Sequence, residues 1–116
     1  MISGTPIEQR EIYLVPFPFS DLSAVKQRPI LVLSNAAFHT AQQDVVVCQI
    51  TSNISDDRYS VPLEQADLET GILKVASKIK PYRIAAVAQR LIGKRIGRVT
   101  GKKFAEALNA LQKVIS

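Results

Sequence analysis

Two short and almost unbroken apolar runs, residues 30–34 and 45–50, dominate the pattern of this chain. Their length and their Val, Ile and Leu content predict central strands buried on both faces, with buried helix the alternative that periodicity leaves open. Before them, residues 11–15 predict a first strand, stopped by Pro16 and Pro18. A loop then runs to Gln27, with Ser20, Asp21 and Ser23 as turn formers. Past Thr51, residues 52–58 read as a polar surface loop, 59–63 as a short strand carrying an edge proline, and 64–71 as a turn-rich connection. From 72 to 87 apolar and basic residues interleave, and Pro81 in their midst favours short strands over one helix. Residues 94–99, with Gly93 and Gly97 nearby, predict another short strand or a bend. The end of the chain gives the clearest helix: Thr100 is its N-cap, and Phe104, Leu108, Leu111 and Ile115 recur at spacings of four, three and four. Ala107 and Val114 widen that stripe. Several short strands followed by one amphipathic helix predict a mainly β fold, a small curled barrel with helical attachments.

Composition narrows this reading. At 116 residues the chain predicts one domain, 1–116, and 47% hydrophobic with 22% charged residues is an ordinary globular balance. No apolar run reaches bilayer-spanning length, and residues 1–5 carry no basic-then-apolar signal region, so the expected setting is cytoplasmic, away from membranes. Cys48 is the lone cysteine and sits inside an apolar run, where a small core residue is expected rather than a nucleophile. Charge is uneven. Residues 1–73 hold four basic against nine acidic side chains, a net of −5, whereas residues 74–116 hold eleven basic against Glu106 alone, a net of +10. Such a half is either a solubilising surface or the footprint of a polyanionic partner, nucleic acid or acidic protein.

Candidate chemistry concentrates where loops meet the buried strands. One histidine, one cysteine and no close carboxylate pair leave no metal-ligand set, and no cofactor is expected. His39 lacks an orienting partner in sequence and reads as a loop residue after the second strand. Gln27-Arg28-Pro29 opens one central strand, and Thr51-Ser52-Asn53 closes the next. Arg28 is either a salt-bridge anchor for its loop, with Asp21 a partner, or a guanidinium fork gripping a phosphate. Thr51 either packs its methyl group or donates its hydroxyl to a phosphate oxygen, with Ser52 or Asn53 beside it. Lys78, Lys80 and Arg83 are candidates to neutralise backbone phosphates, and Tyr82 and Phe19 to stack on bases, against a structural role for each.

The stretches Tyr13 to Ser23 and Lys26 to Ser34 resemble the start of the MazF/PemK family of type II toxin–antitoxin toxins, and Ile50-Thr51-Ser52-Asn53 resembles its second conserved block. Residues 71–80, and Ile96-Gly97-Arg98-Val99 before the final helix, form a weaker third match. Where the family often has glycine before the first strand's acidic residue, this chain has Arg10. The resemblance implies an SH3-like barrel that dimerises and cuts single-stranded RNA without a metal. Arg28 and Thr51 would be the catalytic pair, and the loop from Phe19 to Gln27, with Ser20, Asp21, Ser23 and Lys26, would border the RNA groove. An acidic antitoxin would occupy the same groove. Two other functions stay open at this level: a gyrase-poisoning toxin of the same barrel class, and a non-catalytic barrel binding peptide or nucleic acid.

Overall fold

The computed structural model describes residues 6–16, 27–53 and 57–116. Among the described residues, seven strands form one antiparallel sheet: β1 (Glu11–Pro16), β2 (Gln27–Val32), β3 (Asp44–Thr51), β4 (Val61–Leu63), β5 (Leu68–Gly71), β6 (Ser77–Ala88) and β7 (Arg95–Val99). Their spatial order is β4-β6-β3-β2-β1-β7-β5. The described residues also form two α-helices, α1 (Ala36–Ala41) and α2 (Gly101–Ile115).

The continuous apolar runs are explained by two cores, one on each face of the central strands. Alternate side chains leave a strand on opposite faces. Ile12, Leu31, Cys48 and Ile50 join Ile79, Val99 and Phe104 in one cluster, while Tyr13, Val15, Ile30, Val32, Val45 and Val47 form the other. A strand buried on both faces has no polar alternation to show.

Closure follows from connectivity. β4 and β5 are the two edges of the sheet, yet only residues 64–67 separate them in the chain. A flat sheet of seven strands would hold its edges about 29 Å apart, beyond the roughly 14 Å that four extended residues span. The sheet therefore curls into a half-barrel, as the strand-rich pattern predicts. Gly71 and Gly97, paired across β5 and β7, let the curled backbones touch: a Cβ on Gly97 would lie 2.4 Å from the Thr70 carbonyl oxygen.

Four local expectations are corrected. The connection over 64–71 contains a 3₁₀ turn at Gln65–Asp67 and then β5 itself. The expected short strands over 72–87 are one 12-residue strand, β6. Its pairing with β3 jumps from Cys48↔Ile84 to Gln49↔Lys80, so Pro81, Tyr82 and Arg83 bulge out of the ladder where proline has no N–H to give. His39 lies not in a loop but in α1, a helix too short for periodicity to reveal; its Nε2 is 2.7 Å from Ser34 Oγ and its Nδ1 3.1 Å from the Ile7 carbonyl oxygen. In α2, Thr100 caps as expected, its Oγ1 accepting the Lys103 N–H at 3.1 Å. The apolar stripe, however, is only partly buried: Phe104 and Ala107 enter the core, while Leu108, Val114 and Ile115 stay exposed because the helix packs through its first half.

Arg10 has φ 79, in the left-handed region that favours glycine. This is the position at which the resemblance noted in the sequence leads one to expect glycine. The side chain offsets the strain by tying strands together, its Nη1 donating to the Val99 carbonyl at 3.0 Å and to Glu69 at 3.4 Å.

Candidate functional site

β2 and β3 pair with Ile30 opposite Gln49, Leu31 opposite Cys48 and Val32 opposite Val47. Arg28, at the start of β2, and Thr51, at the end of β3, each lie two residues beyond the Ile30–Gln49 end of that pairing. Both line one cavity of 690 Å³, together with Gln27 and Ser52. The junction read from sequence is thus a junction in space.

Apolar side chains, among them Leu14, Pro29, Ile50 and Ile96, make much of the cavity wall. Its polar rim is cationic: Lys74, Lys94 and Arg95 join Arg28, and no carboxylate is among the described lining residues. Thr51 Oγ1 accepts the Asn53 N–H at 3.1 Å, which orients the oxygen and keeps the hydroxyl hydrogen as a donor. Among the described residues no three His, Cys, Asp or Glu side chains gather as a metal-ligand set.

The remaining expected residues fall elsewhere. Phe19, Ser20, Asp21, Ser23 and Lys26 lie outside the described residues. Asn53 is exposed beside the cavity rather than lining it. Lys78, Lys80, Tyr82 and Arg83 do not line it either; Lys78 stands across the ladder from Thr51, and Lys80 from Gln49. Tyr82 braces a neighbouring segment instead. Its hydroxyl donates to the Asp57 carboxylate, which also accepts the Tyr59 N–H at 3.0 Å and the Ser60 hydroxyl at 2.8 Å. These bonds, the Tyr82 one foremost, hold the Asp57 carboxyl down at about 2, and the same bond pushes the Tyr82 phenol up. They tether residues 57–60, which follow the Thr51 junction, to the bulge in β6.

Sequence reasoning missed Lys74, Lys94, Arg95 and Ser77 as cavity residues. The dibasic Lys94-Arg95 was visible as charge, but only closure of the sheet carries it to the cavity. Arg95 is firmly anchored there. Its Nε donates at 2.6 Å to Oε2 of Glu11, a carboxylate only 3% exposed, and its Nη2 donates to Thr70 Oγ1 at 3.2 Å. Glu11 Oε1 accepts the Tyr13 hydroxyl and the Glu8 N–H, both at 2.7 Å. Burial, and then the bond to Glu11, raise the Tyr13 phenol far above the usual range, which keeps it a neutral donor. A buried carboxylate tolerates such a place only when paired and hydrogen-bonded.

A curled seven-stranded antiparallel sheet with a C-terminal helix is the architecture of the MazF-type barrels. A mycobacterial endoribonuclease solved in complex with its cognate antitoxin superposes with a TM-score of 0.76 at 19% identity, covering 95% of each chain. MazF-mt6 of Mycobacterium tuberculosis superposes at 0.72 with 20% identity, over 90% of this chain and 94% of that one. MazF of Deinococcus radiodurans gives 0.74 with 19% identity, over 97% and 98%. A search of curated protein sequences found no significant match. The family itself is shown by sequence: residues 8–115 match the model for the PemK-like, MazF-like toxin of type II toxin–antitoxin systems. The chain belongs to that family.

Proposed function

We propose that this toxin is an endoribonuclease that cuts single-stranded RNA without a metal ion, using Arg28 and Thr51. The observation that carries the reading is the convergence of both residues on one cation-rimmed cavity with no described carboxylate in its wall. RNA brings its own nucleophile. The 2′-oxygen attacks the adjacent phosphorus, the P–O5′ bond breaks, the 2′ proton leaves, and the 5′-oxygen takes a proton. The products are a 2′,3′-cyclic phosphate and a 5′-hydroxyl end. Charge grows on the non-bridging oxygens as the transition state forms. A guanidinium fork and an oriented hydroxyl stabilise that charge most when they are held in place beforehand. A guanidinium has donors and no acceptor, so Arg28 is assigned to charge stabilisation rather than to proton abstraction.

Family membership and the solved antitoxin complexes of similar barrels support two partners: a second copy of this chain, and an antitoxin whose acidic segment competes with RNA for the cavity. The test is cleavage of a mixed-sequence RNA in the presence of a chelator. Arg28→Ala and Thr51→Ala are each expected to lose roughly a hundred- to thousandfold in rate. A substrate with 2′-deoxyribose at the scissile position should stay intact. Wild-type rates in both folded variants would overturn the assignment.

A further inference from the structure

The cavity holds a second arginine, and the pair stands on either side of β1. Arg28 lies opposite Val15, and Arg95 opposite Tyr13, on strands that flank β1. Val15 and Tyr13 are two residues apart, so ordinary strand spacings put the two arginine Cα atoms about 12 Å apart. Arg95 cannot swing across to join Arg28. Its Nε is tied to Glu11 and its Nη2 to Thr70, which lies on β5, on the side away from β2. With Nε and Nη2 both engaged, the head is held in place while the side chain remains 41% exposed and lines the cavity.

We infer that Arg95, positioned by the buried Glu11, binds a second phosphate of the substrate strand, one that flanks the phosphate held at Arg28 and Thr51. A guanidinium is suited to this because it stays charged while one edge engages a carboxylate and another faces the ligand. Glu11 acts as a positioning residue: it touches Arg95, not the substrate. The alternative role for the Glu11–Arg95 pair is structural cement between β1 and β7, which would leave binding indifferent to any particular phosphate. This inference rests on the cavity being an RNA site, and it does not require cleavage.

The test uses binding alone. A 2′-O-methyl RNA, which cannot be cut, is selected from random sequence for binding to the wild-type protein. Single methylphosphonate linkages, which remove one charge at a time, are then walked along it and affinities are read by fluorescence anisotropy. Wild type should show two sensitive linkages, each costing roughly tenfold. Arg95→Gln should become indifferent at one of them and keep its sensitivity at the other; Arg28→Ala should do the reverse. Glu11→Gln should weaken the Arg95 linkage only in part. Thermal unfolding checks each variant, and if Arg95→Gln fails to fold, Arg95→Lys replaces it, keeping charge but losing the fork. Identical profiles in wild type and the Arg95 variant, uniform weakening at every linkage, or no binding by wild type would overturn the inference. If the Arg95 linkage is found but Arg28→Ala and Thr51→Ala still cut RNA, the catalytic assignment fails and this one stands. If those variants lose cleavage but no linkage couples to Arg95, the opposite holds.

Discussion

At the scale of single residues, the side chains next to the cavity differ in what holds them. Thr51 and Arg95 are each fixed by a particular partner, the Asn53 N–H and Glu11 respectively. Tyr82 works one step further out, by holding Asp57 and with it residues 57–60. That bond has a measurable signature. The folded Asp57 pKa, about 2, lies below the ordinary carboxylate value, so the tether contributes stability in full above about pH 4. It is lost as pH falls toward 2, when the carboxyl takes up its proton. Because Tyr82 is the leading cause, Tyr82→Phe should move the Asp57 midpoint upward toward the ordinary range. A carbon-13 NMR titration of the carboxyl reads this directly, and an unchanged midpoint would refute the tether. Arg10 shows the other side of residue-level reading: its departure from the family's glycine was visible in sequence, but its φ of 79 and its bond to Val99 were not.

At the scale of elements, backbone approach decides more than side-chain pattern. β5 escaped sequence reading because residues 68–71 are mostly exposed and lack a periodic apolar face. β6 was read as several pieces because Pro81 normally ends a strand, whereas here a bulge absorbs it. The close contact of β5 with β7 makes a paired prediction possible. Gly97→Ala would place a methyl 2.4 Å from the Thr70 carbonyl and should destabilise by about 2 kcal/mol or more, through forced backbone displacement. Gly101→Ala, at the first residue of α2, meets only Arg10 Nη1 at 3.8 Å. It should stabilise by about 0.5–1 kcal/mol through helix propensity and a less flexible unfolded chain. Urea unfolding of both variants checks the opposite signs; equal effects would mean that the strand contact yields easily.

At the scale of the whole molecule, the fold redistributes the charge. Arg28 comes from the half of the sequence with net −5, yet it shares a cavity with Lys74, Lys94 and Arg95 from the half with net +10. Polyanion affinity should therefore fall with salt. Lys74→Gln combined with Lys94→Gln should flatten the slope of log K against log salt by about 1.4 if each lysine neutralises one single-strand phosphate. An unaltered slope would place those lysines outside the bound strand's path. Much of this protein was determined by sequence alone: a first strand and two central strands, the capped final helix, the β class and the two junctions carrying Arg28 and Thr51. These are legible because burial leaves continuous apolar runs in a two-faced strand and a stripe in a helix, and both are short-range patterns. The tertiary structure alone decided that Lys94 and Arg95 reach the same cavity, that Lys78 and Lys80 do not line it, and that half of the α2 stripe stays in water. Those outcomes depend on how the sheet curls to bring β4 and β5 together, and on strand register, which are set by contacts between residues far apart in the chain.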